Sequence, residues 1–414
     1  MRIGINGRFL VAKRTGVQRA AYNLVKTLVE VDRTNQYFLF TGDNQIDNPD
    51  WKYENVTVVA SDIREGENML NHFWEQFTLP RLAKHYKVDL LHSPANMAPL
   101  FFRGKSIVHI HDLCFVVNPQ WYSFSFRTLY NLVIPRLARR AAKVITNSNN
   151  SRNDLLQFCN LSADRVSLVY WAVDSIFTEE VIRNQKSDLD PVETGDGFIL
   201  YVGSLEPRKN IRTLVEAYEN LRSERPHVRP KLILIGGESP LFGDVRVNIK
   251  KYKEDVIFKG FVEDNILREY YRRASLVVYP SLYEGFGLPP LEAMASGTPV
   301  VTSRTSSIPE VVGDAAVMVS PYDVEELSFK MGQVLEDPDL RKELIRKGLE
   351  QVQKFNWYRV ARNTLSVYYE VHNTDYSRGG KSSEFVPFDV WKELAGTEQR
   401  HLAATLRPRP VVQN

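Results

Sequence analysis

Cysteine is nearly absent from this 414-residue chain: Cys114 and Cys159 are the two it has, and neither sits in a CxxC. That excludes a disulfide framework and a cysteine-built zinc site, and it fits a reducing, cytoplasmic setting. Long apolar runs are missing too. No stretch approaches the roughly 18 apolar residues of a membrane-spanning helix, and the opening MRIGINGRFL lacks the apolar core of a secretion signal. Charge of one sign is not in excess. The formal net charge is +3, so the whole molecule is no binder of nucleic acid, and any basic function must lie in local patches. The dinucleotide fingerprint GxGxxG is absent, because Gly4 and Gly7 are three apart with no helix directly after, and no GxxxxGK[ST] loop exists. Repeats with a period of about 20–50 residues are absent as well, which excludes a solenoid.

What is present suffices for a sizeable core: 43% of residues are hydrophobic and 11% aromatic, in a chain long enough for two or three domains. Short apolar runs at 2–6 (RIGIN), 37–40 (YFLF), 56–59 (VTVV), 88–93 (VDLLHS) and 106–112 (SIVHIHD) read as strands, followed by KVITNS and VSLVY. Helical patterns lie between them, notably over 19–31, 74–86 and 124–143. This alternation predicts an α/β unit over 1–177 with a parallel sheet covered on both faces. Residues 178–196 are polar and acidic and read as a linker and hinge. The alternation restarts with FILYVGS at 198–204, a helix over 211–222, KLILIGG at 231–237, VIFKGFV at 256–262, LVVYPS at 276–281, PVVTS at 299–303 and AAVMVS at 315–320. That predicts a second doubly wound domain over 197–355. An aromatic helix over 356–372 is expected to cross back to the first domain, and 373–414 reads as an irregular tail.

Ligands of open α/β sheets sit at the carboxyl ends of the strands, beside helix N-termini. The residues following each strand are therefore the candidates. Arg208 and Lys209 stand at the mouth of a helix starting near Asn210. A guanidinium holds a phosphate with two parallel hydrogen bonds and an ammonium adds a point charge, so the pair suits a diphosphate leaving group. A solvated pair before a helix reads the same way. The stretch 279–310, YPSLYEGFGLPPLEAMASGTPVVTSRTSSIPE, places Glu284 on a turn and Glu292 in the first turn of a helix that ends at Gly297. His111 and Asp112 close the 106–112 strand, where a satisfied core histidine is the alternative. Gly16 precedes the 19–31 helix, either as a close-approach glycine or as an ordinary turn. Asp188-Leu189-Asp190 matches a metal-binding DxD, but it lies in a polar linker with no strand before it.

Taken together, these motifs resemble the retaining, nucleotide-sugar-dependent glycosyltransferases of family 4, which have the GT-B fold of two facing Rossmann-like domains around a deep cleft. The matching segments are YVGSLEPRKNI at 201–211, KLILIGG, VIFKGFV, the E-x7-E turn at 280–303, TGVQRAAYNL at 15–24, HIHDL at 109–113 and VYWAVDSIF at 169–177. The resemblance covers about 1–372. It implies that Arg208 and Lys209 bind the donor phosphates, that Glu292 bonds the ribose hydroxyls, and that Glu284 contacts the donor sugar. It also implies that the amides of Gly285, Phe286, Gly287 and Leu288 surround the sugar and distal phosphate, and that Gly260, Phe261 and Val262 border the base. Gly16 would let the first-domain loop close, and His111 would face the sugar. No metal and no cofactor are implied. The opening resembles bacterial mannosyltransferases of surface-polysaccharide assembly, which implies GDP-mannose as donor and a glycan or lipid-linked glycan as acceptor. UDP-glucose and UDP-N-acetylglucosamine stay open as donors. A binder that has lost catalysis would be expected to lack at least one of Arg208, Lys209, Glu284 and Glu292; a GT-B epimerase would lack the E-x7-E turn. Lipid-linked acceptors also give meaning to the 124–143 stretch, whose apolar residues alternate with Arg127, Arg136, Arg139, Arg140 and Lys143. Such a face fits peripheral contact with an anionic membrane on its inner side, and an ordinary solvated face reads alike.

Overall fold

The computed structural model describes residues 1–12, 15–42, 45, 47–63, 69–178, 197–237, 249 and 251–374. The expected linker beyond residue 178, its DxD match and the tail beyond residue 374 lie outside the described residues. Seven strands form the first sheet: β1 (Arg2–Asn6), β2 (Gln36–Thr41), β3 (Val56–Ala60), β4 (Leu90–Ser93), β5 (Lys105–His109), β6 (Lys143–Thr146) and β7 (Val166–Leu168). Six form the second: β8 (Phe198–Val202), β9 (Lys231–Ile235), β10 (Val256–Gly260), β11 (Leu276–Tyr279), β12 (Val300–Ser303) and β13 (Val317–Val319). Every pairing is parallel. Helices cover both faces, so a strand such as FILYV or LVVY is buried along its whole length, which is why it reads as a continuous apolar run rather than an alternating one.

The strand orders are β3-β2-β1-β4-β5-β6-β7 and β10-β9-β8-β11-β12-β13. In each sheet the chain leaves one central strand, β1 or β8, in one direction and returns on its other side. These are the topological switch points, where the loops splay apart and leave a crevice. The loop after β8 carries Arg208 and Lys209, and the loop after its neighbour β11 carries Glu284. Two features of the chain thus meet because of strand order alone.

Three local expectations change. The helix expected over 124–143 ends at Arg140, and Lys143 opens β6, where it is buried and paired with Glu370. Lys143 therefore drops out of the basic helical face. The helix expected over 74–86 is three pieces, Met69–Phe73, a π-helical turn Trp74–Thr78, and Leu79–His85. Pro80 has no N–H to give the carbonyl four residues back, which disfavours an unbroken α-helix there. The strand expected over 106–112 stops at His109, so His111 and Asp112 lie on the following loop. The last helix, Trp357–Asn373, packs on the Gly16–Val31 helix of the first sheet. Tyr369 OH accepts from Asn35 Nδ2 at 3.1 Å, and Tyr368 OH meets His92 Nδ1.

Candidate active site

Asn210 adopts the left-handed conformation (φ 59°) between the Pro207–Lys209 turn and the Ile211–Glu224 helix, as asparagine does more readily than most residues. Its Nδ2 donates to the carbonyls of Pro280 (3.1 Å) and Pro321 (2.6 Å), which ties the β8 loop to the β11 loop. Leu282 N donates to the Arg208 carbonyl at 2.8 Å. So anchored, the two loops bring their charged side chains into contact. Arg208 Nη1 is 3.0 Å from Glu284 Oε2, and its Nε is 2.8 Å from Glu206 Oε2. Lys209 Nζ is 2.7 Å from Glu284 Oε1 and also donates to Tyr279 OH, which itself donates to Glu284 Oε1 at 2.9 Å. Lys209 and Glu284 are each 6% exposed. Burial acts to raise the Glu284 carboxyl, but Lys209 and then Arg208 outweigh it and hold it down at about 2. Lys209 is pulled below its ordinary value, by burial first and by Arg208 next, with Glu284 acting against both. Glu284 is thus the main group that opposes the downward pull on Lys209. It pairs with both cations of the β8 loop at once.

The turn bearing Glu284 is held rigidly. Glu284 N donates to Ser306 Oγ at 2.8 Å, and Ser307 Oγ donates to the carbonyls of Glu284 (2.9 Å) and Phe286 (2.7 Å). Gly285 lies against the loop after β5: a Cβ there would stand 2.7 Å from the His111 carbonyl oxygen and 2.9 Å from Asp112 Cβ. Gly287 has φ 126°, and a Cβ there would stand 2.9 Å from Ile308 Cδ1. Both positions therefore exclude larger residues, one by cross-cleft contact and one by backbone conformation. The Phe286 ring is buried against Trp171 and Phe355, so its side chain belongs to the core and its backbone alone is available to a ligand.

Glu292 stands elsewhere than expected. The helix is Leu288–Ala295, so Glu292 occupies its second turn, away from the N-terminal amides. Its Oε2 accepts from Tyr271 OH at 2.9 Å, and its Oε1 lies 3.3 Å from Arg19 Nη1 of the opposite sheet's first helix. Burial raises its carboxyl, and Arg19 and Tyr271 oppose that.

On the first sheet's side, His111 is 3% exposed and its ring packs on Trp171 at 4.4 Å between centroids. Nε2 faces the Pro94 carbonyl at 3.2 Å, which assigns the proton to Nε2 and leaves Nδ1 an acceptor. Nδ1 is buried with no partner among the described residues. Ser151 Oγ donates to the carbonyls of His111 (2.8 Å) and Gly285 (3.3 Å), which fastens the two loops together. Asp112 stands in the field of Arg208, which opposes the upward push of burial on its carboxyl.

The structure therefore gathers Arg208, Lys209, Glu284, Gly285 and His111 at one place, with Glu292 facing the first helix close by. Gly260 (φ 64°) ends the edge strand β10, and Phe261 and Val262 follow it, two strands from β8 along the same carboxyl edge. Gly16 is the first residue of its helix, and a Cβ there would make an ordinary 3.5 Å contact with Leu288 Cδ1, so sterics alone do not demand glycine. Sequence reasoning overlooked Arg19, Tyr271, Tyr279 and Ser151. Each looks like an ordinary member of a helix or strand, and only the meeting of distant segments gives it a polar task.

Two family models match the chain: Glycosyltransferase Family 4 over residues 14–176 and Glycosyl transferases group 1 over residues 183–351. The O-antigen chain mannosyltransferase B of Escherichia coli is 29% identical over 384 residues, covering 86% of this chain and 96% of that protein. The serotype-specific mannosyltransferase WbdA of Escherichia coli is 32% identical over 280 residues, 65% of this chain but only 33% of that much longer protein. Among solved structures, WaaG, a glycosyltransferase involved in lipopolysaccharide biosynthesis, superposes with a TM-score of 0.62 at 17% identity, covering 89% of this chain and 99% of that one. Anabaena Alr3699/HepE in complex with UDP and glucose gives 0.65 at 18% identity, with coverage of 89% and 99%. Among the described residues no helix is long and apolar enough to cross a membrane. Two facing Rossmann-like sheets, a charged cleft at their switch points and a family match over each half together identify the chain as a glycosyltransferase of the GT-B class.

Proposed function

We propose that this glycosyltransferase moves a hexose, first of all mannose from GDP-mannose, onto a glycan or lipid-linked glycan in polysaccharide assembly, with retention of anomeric configuration. The observation that carries the reading is the cation pair of half-buried Arg208 and buried Lys209, neutralised by Glu284 at the second sheet's switch point. A donor's diphosphate takes the two cations and releases Glu284 to the sugar hydroxyls. The amides of Gly285 to Leu288 line the sugar and distal phosphate, and Glu292 holds the ribose. Gly260 to Val262 border the base, and the loop at Gly16 closes over the phosphates. His111 Nδ1, an acceptor still without a partner among the described residues, takes a sugar hydroxyl. The acceptor oxygen attacks C1 on the face the phosphate leaves. The C1–O bond to phosphate breaks, the C1–O bond to the acceptor forms, and the acceptor's proton goes to a departing phosphate oxygen. Arg208 and Lys209 stabilise the charge that develops there, so no metal is required. The mannosyltransferase relatives favour mannose.

The Phe124–Arg140 helix exposes Phe124, Leu129 and Leu132 beside Arg136, Arg139 and Arg140, which supports peripheral contact with an anionic membrane. The test of the reaction is release of nucleoside diphosphate from GDP-mannose, UDP-glucose and UDP-N-acetylglucosamine with an oligosaccharide acceptor, and the anomeric coupling of the product by NMR. Turnover of one donor with retention is expected. Inversion would sink the same-face step, and no turnover of any donor would sink the whole reading.

A further inference from the structure

The carboxylate proposed to hold the ribose is completed from across the cleft. Tyr271 pins Glu292 Oε2 from within the second sheet's own unit, at 2.9 Å. Oε1 faces Arg19 Nη1 at 3.3 Å, and Arg19 belongs to the first turn of the Gly16–Val31 helix on the other side. The same guanidinium pairs through Nη2 with Asp264 and lies 5.8 Å from the Phe177 ring. Its Nε is buried with no partner among the described residues. A cation in the first turn opposes its own helix dipole, so the local helix gives no reason for it to stand there. The compensation comes from the second unit: Glu292 and Asp264 share the one guanidinium, and Asp174, bonded by Asn23 Nδ2 at 2.8 Å, adds a further negative charge nearby.

We infer that Arg19 is a positioning residue of the donor site, which fixes the Glu292 carboxylate in place for the ribose hydroxyls. The inference rests on the reading of Glu292 as the ribose holder. With both carboxylate oxygens anchored, by Tyr271 and by Arg19, the lone pairs left over point in set directions and accept two vicinal hydroxyls. The groups that face Glu292 are Arg19 from the first helix, Asp174 from the segment closing the first unit, and Asp264 and Tyr271 from the Asp264–Arg273 helix. Without Arg19 the balance among them is acidic, and the buried Glu292 is left with no cation against Asp264 and Asp174. It then takes up a proton more readily and stops accepting one of its hydrogen bonds.

The experiment is calorimetric titration of the full chain with GDP and UDP and with their 2′,3′-dideoxy counterparts. The proteins are the wild type, Arg19→Met, Arg19→Lys and, as reference, Glu292→Gln. The wild type should prefer the ribonucleotide over the dideoxynucleotide by about tenfold or more, the size of a charge-assisted hydrogen bond. Near pH 7 Arg19→Met should lose most of that preference while binding the dideoxynucleotide like the wild type. Its ribonucleotide affinity should recover towards pH 8.5, and Arg19→Lys should stand between the two. Equal loss for both sugars in Arg19→Met would mean a merely structural role and overturn the inference, as would an unchanged preference. A wild type that does not tell ribose from dideoxyribose would instead remove the Glu292 reading, and this inference with it, a failure visible before any variant is made.

Discussion

Replacing Glu284 by Gln keeps the shape of the side chain and removes the carboxylate that touches both Arg208 and Lys209. Its carboxyl is held at about 2, against an ordinary 4.5. At 1.36 kcal/mol per unit, that shift corresponds to about 3 kcal/mol of stability. Breaking a buried ion pair from one side costs about 3–5 kcal/mol by an independent route. Lys209 can shed its proton once Glu284 is gone, since burial already pulls it down, and this caps the cost near the lower figure. The sign follows from the direction of the shift. A carboxyl lowered in the folded state contributes fully above its unfolded value and loses the contribution as pH falls towards 2. Glu284→Gln should therefore melt about 6–12 °C lower at pH 7, taking about 2–4 °C per kcal/mol for a unit of this size. The gap should narrow below pH 4. A nucleoside diphosphate restores the missing negative charge, so saturating GDP or UDP should raise the melting temperature of the variant more than that of the wild type. A melting temperature within about 2 °C of the wild type at pH 7, or equal nucleotide-induced shifts, would refute the reasoning.

Further outcomes follow from the same geometry. Lys209→Ala should cut turnover by about a hundredfold or more, while the wild type keeps its turnover in EDTA; near-normal rates in the variant, or loss in EDTA, would remove the assigned electrostatic role. His92, His109 and His111 form a buried column, with centroids 4.8 and 5.9 Å apart, and burial lowers all three, His92 and His111 to about 3. Because the unfolded chain binds their protons first, stability should fall as pH drops below about 6.5, by up to about 1.4 kcal/mol per histidine per pH unit, and His109→Phe should flatten a melting profile taken from pH 7.5 to 5. Wild-type protein should float with anionic liposomes at low salt, and a Phe124→Glu/Leu129→Glu variant should not; absence of wild-type binding would dismiss the membrane contact.

The architecture is legible in the chain because parallel strands buried on both faces leave continuous apolar runs, and LVVY or FILYV can be read as nothing else at that length. Order along the chain also marks the carboxyl-end loops, so Arg208, Lys209, Glu284 and His111 stand out from their positions after strands. Their mutual pairing does not. Arg208 and Glu284 are 76 positions apart, and strand order, which makes the loops after β8 and β11 neighbours, is not written in any local pattern. Arg19 is hidden for a related reason: an arginine on an amphipathic helix reads as solvated until a carboxylate 273 positions away is brought against it. Glu292 reads one turn too early because the helix starts at Leu288, before the proline pair. Lys143 reads as helical because Ala141 and Ala142 favour helix locally, whereas pairing of β6 with β5 and β7 decides the matter.

A crystal structure with a nucleoside diphosphate bound tests the central claim most directly. The diphosphate should lie within hydrogen-bond distance of both Arg208 and Lys209, the ribose hydroxyls on Glu292, and Glu284 turned from the two cations towards the sugar pocket. A nucleotide seated away from the β8 and β11 loops, or Glu284 still paired with Arg208 and Lys209 beneath a bound diphosphate, would contradict it.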